Sequence, residues 1–211
     1  MAAGRTATTV DPIVTDMGTT RLRQQFMIDH PREKVWLVLR DPAKVAGLIP
    51  GVTLDTVSET LVTGRMALRL GPIKATFKGS GTVERADSDY RQIITGRGDD
   101  RSSGSIAEGQ IDCALQGVEQ SVPEATKVEI NLSYSLRGPL AQFGRSNLIR
   151  DFVAQIGETF AENLDALLSG ERSPIAPAAE FAPLSLLWKA IVRAFNAHFT
   201  RLFGQRNKWD N

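Results

Sequence analysis

The sequence of 211 residues is poor in the side chains on which many enzymes rely. It has one cysteine, Cys113, and two histidines, His30 and His198. A single cysteine cannot form an internal disulfide, and no group of His, Cys, Asp or Glu has metal-ligand spacing. We interpret Cys113 as a buried structural thiol, which fits a reducing compartment. The sequence shows neither a serine elbow nor a Cys–His arrangement, so we expect no catalytic residue and no metal.

Long apolar runs and a strong net charge are missing as well. No stretch of about 18 apolar residues occurs, so no segment is predicted to cross a bilayer. Residues 1–20 contain no apolar core, and we expect no secretory signal there. The formal net charge is +1, which does not favour nucleic acid as a partner. Asp99 and Asp100 stand beside arginines, a pattern more typical of a strand end or turn than of acid–base chemistry.

What the sequence does contain is a change of period along the chain. Residues 21–29 read as a strand, and two short helices separated by Asp41-Pro42 follow it. From residue 52 to residue 136 apolar and polar side chains alternate, which predicts about six antiparallel strands with one wet face. Glycines recur inside these strands and indicate the bulges and bends of a curved sheet.

After Gly138-Pro139 the period becomes helical. Apolar residues recur every fourth position as far as Leu164, which predicts one long amphipathic helix ending at Ser169-Gly170. One helix about 10 Å wide cannot cover six or seven strands spaced about 4.8 Å apart. The uncovered part of the sheet must therefore be apolar and partly open, which predicts a cavity for a small molecule.

The order of elements predicts an α+β fold. A curved antiparallel β-sheet of six to seven strands is expected around a long C-terminal α-helix, with two short helices after the first strand. We divide the chain into a flexible N-terminal arm (1–20), the sheet-and-helix domain (21–170), a proline-rich linker (171–183) and an amphipathic C-terminal helix (184–211).

Residues 21–168 contain four stretches that resemble a known family when taken together and in order. They are VWLVLRDPAKVAGLIPGV, GRMALRLGPIKATFKGSGTV, GRGDDRSSGSIA and YSLRGPLAQFGRSNLI. They resemble the family of the carbon monoxide dehydrogenase G subunit, within the START-like (SRPBCC) superfamily. The resemblance implies a helix-grip fold with a hydrophobic ligand cavity. It also implies service to a molybdenum hydroxylase of the carbon monoxide dehydrogenase type, by quinone delivery, by recruitment to the membrane, or by both.

The alternation and the helical stripe supply the candidate ligand-binding residues, and for each of them core packing is the alternative. The strand positions are Met66, Leu68, Ile73, Phe77, Val128, Ile130, Leu132 and Tyr134, the helix positions are Phe143, Phe152, Ile156 and Phe160, and Trp36, Leu48 and Ile49 roof the mouth. Tyr134 is the sharpest choice, because a phenol in an apolar pocket can hydrogen-bond a quinone carbonyl. We expect no cofactor apart from a bound quinone or lipid.

The C-terminal segment has helical spacing of its own. Its apolar positions include Leu187, Trp188, Ile191, Phe195 and Phe199, and its cations include Lys189, Arg193 and Arg201. An apolar face with cationic flanks fits a helix lying on an anionic membrane, and it fits docking into a partner groove as well. Folding back onto its own domain or onto a second copy is a third interpretation. We expect a cytoplasmic protein peripherally associated with the inner face of the cell membrane.

Two other functions stay open at this point. One is an assembly or docking factor for the hydroxylase that transports no ligand. The other is a START-like cyclase or hydrolase, for which the sequence offers no convincing polar residue in the cavity. We therefore expect a protein that is not an enzyme.

Overall fold

A computed structural model describes residues 9–16, 18–70, 73–118, 121, 124–144 and 147–171. The predicted C-terminal helix lies outside these residues, as does the predicted linker apart from Glu171. The predicted membrane or partner contacts of the tail therefore stay predictions; they are Leu187, Trp188, Lys189, Ile191, Arg193, Phe195, Phe199 and Arg201.

Eight strands and three α-helices make up the described part of the chain. In order they are β1 (Thr9–Asp16), β2 (Thr19–Ile28), α1 (Arg32–Leu39), α2 (Pro42–Leu48), β3 (Val52–Val57), β4 (Leu61–Leu70), β5 (Ile73–Ala86), β6 (Arg91–Asp100), β7 (Ser105–Val118), β8 (Ala125–Arg137) and α3 (Asn147–Leu168). The strands form one antiparallel sheet in the order β1-β2-β8-β7-β6-β5-β4-β3. The α+β fold, with two short helices after a strand and a long helix at the end of the domain, is confirmed.

The expectation of a flexible arm over residues 1–20 is wrong for residues 9–16. They form the edge strand β1, in which Val10 lies opposite Gln24 of β2, and they raise the number of strands to eight. The arm was predicted because residues 1–20 are rich in Thr, Ala and Gly and show no period, and Pro12 at the edge of the sheet is compatible with the strand. Proline has no N–H to donate to a neighbouring strand, and an edge strand tolerates it because one of its sides has no neighbour.

The final helix is shorter than its periodicity indicates. Pro139–Phe143 form a separate 3₁₀ turn, and α3 is a helix of 22 residues that begins at Asn147. At 1.5 Å per residue α3 is about 33 Å long, against the roughly 45 Å expected for a helix starting at the proline. Leu140 and Phe143, which the stripe assigned to the helix, therefore belong to the turn that precedes it.

The break between the two short helices has the predicted cause. The side chain of Asp41 accepts hydrogen bonds from the backbone N–H groups of Ala43 (3.0 Å) and Lys44 (3.3 Å). These are N–H groups of the first helical turn, which have no partner within the helix. Pro42 stands in that turn, where its fixed φ is compatible with a helix and its missing N–H is not needed.

The hydrophobic core occupies one end of the face that the sheet turns toward α3. Its members include Phe26 and Ile28 of β2, Cys113 and Leu115 of β7, Val128 of β8, Val35, Trp36 and Leu39 of α1, Leu48 of α2, and Phe160, Leu164 and Leu168 of α3. The rings of Phe26 and Phe160 meet edge to face at 6.1 Å. We call this cluster the closed half of the concave face.

Candidate functional site

The register of the strands defines which side chains share the concave face. Gln24 fixes the orientation, because its Nε2 donates to the carbonyl of Val153 on α3 at 3.0 Å. Positions in register with Gln24, and every second residue from them along each strand, therefore point toward α3. The adjacent row on this face consists of Leu22, Leu132, Ile111, Ile94 and Val83.

In the next two rows, β5, β6 and β7 carry only glycine or alanine on the concave face. Gly81, Gly96 and Gly109 are cross-strand neighbours in the next row. The row after it contains Gly64, Gly79, Gly98 and Ala107. Six glycines and one alanine thus form a continuous patch across β4, β5, β6 and β7, which we call the glycine floor. Glycines were predicted to bend the sheet, and their joint effect on one face was missed.

The glycines of the floor differ in whether they leave room for a side chain. A Cβ on Gly79 would overlap the carbonyl oxygen of Arg97, and one on Gly64 would overlap that of Thr53, so neighbouring strands approach too closely there for any side chain. A Cβ on Gly96 would meet only Ser80 O at 3.4 Å and Gly81 Cα at 3.9 Å, both of them in the sheet. Among the described residues, therefore, no atom of α3 lies within 4 Å of a Cβ at Gly96.

Apolar side chains surround the floor and are only half-buried. Among the predicted ligand-binding residues, this group comprises the strand positions Met66, Leu68, Phe77, Leu132 and Tyr134, and we add the half-buried Phe143, Phe152 and Ile156 from the 3₁₀ turn and α3. Val62, Ile94, Ile111 and Leu136 share the face and the half-burial, and the sequence analysis missed them although their strands alternate. The floor and these side chains together are the open half of the concave face.

Four predicted ligand-binding residues belong to the closed half instead. Trp36, Leu48, Val128 and Phe160 are at most 7% exposed. The Trp36 indole donates from Nε1 to Asp87 Oδ1 at 2.8 Å, so its polar atom is engaged too. Ile49 and Ile130 are half-buried against the same cluster. These side chains are covered by protein, and the proposed site does not include them; the side chain of Ile73 lies outside the described set.

Tyr134 borders the glycine floor, and its hydroxyl already has a partner. Its O–H donates to the carbonyl of Gly144 at 2.8 Å, and Thr20 Oγ1 donates to the same carbonyl at 3.4 Å. Burial raises the pKa of the Tyr134 phenol. A phenol has one proton to donate, so a hydrogen bond to a ligand carbonyl would have to replace the bond that holds the 3₁₀ turn against β8.

Two hollows in the surface differ in the polarity of the residues that line them. One, of about 350 Å³, lies at the edge of the open half and is lined by Gly18, Thr20, Tyr134, Leu136, Ala141, Gln142 and Gly144. The other, of about 620 Å³, is lined mainly by polar residues, among them Ser80, Thr82, Thr95, Arg97, Glu108 and Gln110. These side chains alternate away from the glycine floor, so the larger groove lies on the convex face. Only the smaller one is continuous with apolar walls.

Asp100, the second of the two adjacent aspartates, has hydrogen-bond partners that stabilise a turn, as the sequence indicated. Asp100 is buried and accepts hydrogen bonds from Ser103 Oγ (2.6 Å), Ser102 Oγ (2.8 Å) and the Thr76 N–H (3.3 Å). The bond from Ser103 is the main reason that its pKa falls to about 2. Asp100 therefore anchors the turn between β6 and β7 to β5.

Neither a metal site nor a membrane span is found in the described part of the chain. No three His, Cys, Asp or Glu side chains there come together as metal ligands. None of the described helices combines the length and hydropathy that crossing a bilayer requires.

Comparisons with solved structures identify the architecture. A conserved protein from Geobacillus kaustophilus is similar with a TM-score of 0.62 at 14% identity, covering 71% of this chain and 95% of that one. A protein from Thermus thermophilus gives a TM-score of 0.51 at 17% identity, covering 71% and 97%. Ara h 8.0201 gives 0.50 at 12% identity, covering 73% and 100%. At such identities the likeness shows the fold alone, which is the START-like helix-grip fold.

The sequence itself identifies the family. No curated protein matches the chain significantly. Residues 25–169 match the family described as the carbon monoxide dehydrogenase G subunit (CoxG), and this range spans more than half of the chain. The chain therefore belongs to the CoxG family.

Proposed function

We propose that this protein binds a hydrophobic molecule, a lipid or a quinone, in the open half of its concave face. In this proposal it serves a molybdenum hydroxylase of the carbon monoxide dehydrogenase type, by delivering quinone, by recruiting the enzyme to the membrane, or by both. The observation that carries the proposal is the glycine floor beneath half-buried apolar walls. Membership of the family supports the choice of partner.

The energetics of the open half favour an apolar occupant. Its walls keep apolar surface in contact with water that a ligand would displace. At about 25 cal/mol per Å², covering roughly 200 Å² of apolar surface contributes about 5 kcal/mol to binding. The floor admits a ligand close to the sheet because Gly96 and Gly109 carry no side chain, whereas the closed half is filled by α1 and the C-terminal half of α3.

Three polar side chains that border the open half are engaged within the protein. Tyr134 donates to Gly144, Gln24 donates to Val153, and Asp100 accepts from its own turn. A cyclase or hydrolase needs a group that is free to move a proton at the ligand. The observed engagement supports a carrier over an enzyme.

The experiment fills the open half without disturbing the fold. Gly96→Leu places an apolar side chain above the floor, where a Cβ meets only two sheet atoms at 3.4 and 3.9 Å. Gly117→Leu is the matched control, since Gly117 is an exposed glycine of the same sheet and its Cβ would meet no atom within 4 Å. Purified proteins are extracted with organic solvent for mass spectrometry and titrated with a decyl-substituted benzoquinone and a fluorescent fatty acid.

The expected result is co-purified lipid or quinone in the wild type and in Gly117→Leu. Gly96→Leu should bind at least about ten-fold more weakly, because one leucyl group takes the volume of several ligand carbons. Equal melting temperatures of the two variants establish that the fold is intact. Equal binding by both variants, or a wild type that neither carries nor binds an apolar molecule, would reject the proposal.

A capture experiment with the hydroxylase separates the two accessory functions. If the wild type retains the enzyme but binds no apolar molecule, and Gly96→Leu retains it equally, the protein is an assembly or docking factor. If capture and ligand binding are both found, delivery and recruitment act together.

A further inference from the structure

The hairpin formed by β4 and β5 extends beyond the ends of its two neighbours in the sheet, β3 and β6. Pairing between β3 and β4 reaches Met66, and pairing between β5 and β6 reaches Lys78. In the strand register, residues 67–70 and 73–77 therefore pair only with each other. Near its base the extension is held by two further bonds, from the Ala67 N–H to the Gly51 carbonyl (2.9 Å) and from the Thr76 N–H to Asp100 Oδ1 (3.3 Å). At about 3.3 Å per residue, this two-stranded extension is roughly 13 Å long.

The convex face of this hairpin carries two pairs of like charges. Arg65 lies directly opposite Lys78, and Arg69 lies directly opposite Lys74. Arg65, Lys74 and Lys78 are exposed, and Arg69 is half-buried. Like charges that face each other across an antiparallel pair destabilise it. An arrangement of this kind indicates a function for the positive charge outside the fold itself.

These four cations have no acidic partner among the described residues. The acid in register is Asp99, opposite Lys78 on β6, and no ion pair within 4.0 Å joins the two. Elsewhere on the convex face the pattern is different: Arg23 pairs with Glu129, Arg91 with Asp112, and Arg97 with Glu108. Arg21 and Lys127 on the same face have no ion pair within 4.0 Å among the described residues either, but they stand singly, whereas the hairpin holds four such cations together.

We propose that the β4–β5 hairpin is a docking element for an anionic phospholipid surface. The two cation pairs lie four residues apart along the strands, about 13 Å, so they span an array of phosphates and exceed the reach of a single anion. In the sequence, Leu70-Gly71-Pro72-Ile73 stand between Arg69 and Lys74. A short apolar sequence between cations is the composition of segments that enter a membrane interface.

The apolar sequence between the cations favours a membrane over an acidic protein. Charge complementarity alone suits either partner, but an acidic protein surface has no need for leucine and isoleucine between the cations. The opposite face of the hairpin carries Met66, Leu68 and Phe77 of the open half. Docking at this hairpin would bring the open half beside the lipid. The inference does not require a ligand to be bound, so its test is independent of the Gly96→Leu experiment.

Flotation with vesicles tests the proposal on the full chain. Vesicles of phosphatidylcholine are compared with and without phosphatidylglycerol, for the wild type and two double variants, Arg69→Gln/Lys74→Gln and Arg65→Gln/Lys78→Gln. Each cation near an anionic surface contributes about five-fold to partitioning at moderate salt. Each double variant should therefore lose at least about ten-fold on anionic vesicles, and added salt should weaken the wild type.

The matched control removes the same charge elsewhere. Arg21→Gln/Lys127→Gln neutralises two cations on β2 and β8, strands that are not adjacent to the hairpin, and it should bind anionic vesicles like the wild type. An equal loss in this control, or full binding by both hairpin variants, would overturn the proposal. Hairpin variants that keep vesicle binding but lose capture of the hydroxylase would assign the patch to an acidic protein, which also overturns it.

A fluorophore on the hairpin separates its contribution from that of the C-terminal segment. Ala67 is exposed between Arg65 and Arg69, and Ala67→Cys can be labelled selectively because burial raises the pKa of the Cys113 thiol to about 12. The label should shift its emission to the blue on anionic vesicles, while a label on Gln110→Cys in the convex face should not. Unchanged emission at residue 67 in floated protein would contradict hairpin docking.

Discussion

The closed and open halves of the concave face are built from the same strands by the same alternation, yet only one of them is filled. On β8, Val128 is completely buried, and Leu132, four residues further along the same face, is half-buried. The difference lies in the neighbours of each side chain. The helix α1 and the end of α3 cover Val128, whereas the face beside Leu132 continues into the glycine floor. Ligand space in this fold thus depends on the reach of the helices and on missing side chains more than on a special residue type.

The largest difference is expected between two alanine substitutions in α3, one in the closed half and one in the open half. Leu164→Ala removes a side chain with no exposed surface and should lower the free energy of unfolding by about 4 kcal/mol. Ile156→Ala acts on the half-buried stripe two turns earlier and should cost about 1 kcal/mol, because water already reaches that site. Urea denaturation of both variants measures the difference. Equal losses would mean that the open half is packed like the closed half.

Asp100 secures the end of the sheet that borders the open half. Asp100→Asn removes the charged acceptor of the bonds from Ser102 and Ser103 and should lower the free energy of unfolding by about 2 kcal/mol at neutral pH. Denaturation by urea at pH 7 checks this value. Asp99→Asn is the control and should have little effect, because Asp99 is exposed.

The same variant predicts a pH dependence with a definite sign. The pKa of Asp100 falls from 3.8 to about 2 in the folded protein, so folding favours its ionised form. Its contribution is therefore complete above pH 4 and is lost as the pH falls toward 2. Wild type and Asp100→Asn should differ fully at pH 5 and converge near pH 2. A difference that stays constant down to pH 2 would show that the charge is not the cause.

The boundary between the halves is marked by a buried amide and a helical glycine. A Cβ on Gly157 of α3 would lie 2.6 to 2.9 Å from the side-chain amide of Gln24. Gly157→Ala should therefore destabilise the protein by about 1 to 2 kcal/mol, although alanine is ordinarily the better helix former by about 1 kcal/mol.

In the Gln24→Ala background the sign should reverse. With the amide removed, Gly157→Ala meets no obstacle and should stabilise the protein by about 1 kcal/mol. Thermal or urea unfolding of the four proteins of this double-mutant cycle provides the coupling energy. A coupling near zero would show that the amide moves aside without cost.

The smallest effect is expected from Tyr134→Phe. Loss of the hydrogen bond to Gly144 should lower the free energy of unfolding by about 1 kcal/mol. Ligand affinity should stay unchanged, since the hydroxyl serves the 3₁₀ turn. A marked drop in quinone affinity at equal stability would restore the interpretation of Tyr134 as a donor to the ligand.

The sequence predicted the elements well because their causes are local. Alternation identified the strands that follow α2, and Asp41-Pro42 predicted the break between the short helices. It failed for β1, since residues 1–20 show no period, and the edge position that lets such a segment pair is revealed only by the sheet order. It failed for the start of α3 because a 3₁₀ turn and an α-helix both place apolar residues three to four positions apart.

The candidate site was predictable in direction but not in extent. Alternation shows which side chains face α3, and it gave Met66, Leu132 and Tyr134 correctly as concave residues. It cannot show how far α1 and α3 extend over them, and this extent places Val128 in the core and Leu132 at the hollow. Nor can it show that glycines distant in sequence share a row, because that follows from strand register.

The pairing of β2 with β8 has a consequence for biosynthesis. Gln24 lies opposite Ile130, so the strand made early waits for a partner made roughly 100 residues later. At 5–20 residues per second on the ribosome, the wait is on the order of 5–20 s. During that time Phe26 and Ile28 lack the strand beside them, and Phe26 lacks the ring of Phe160 for longer still. The nascent chain therefore offers the cell's chaperones an apolar segment until translation has passed α3.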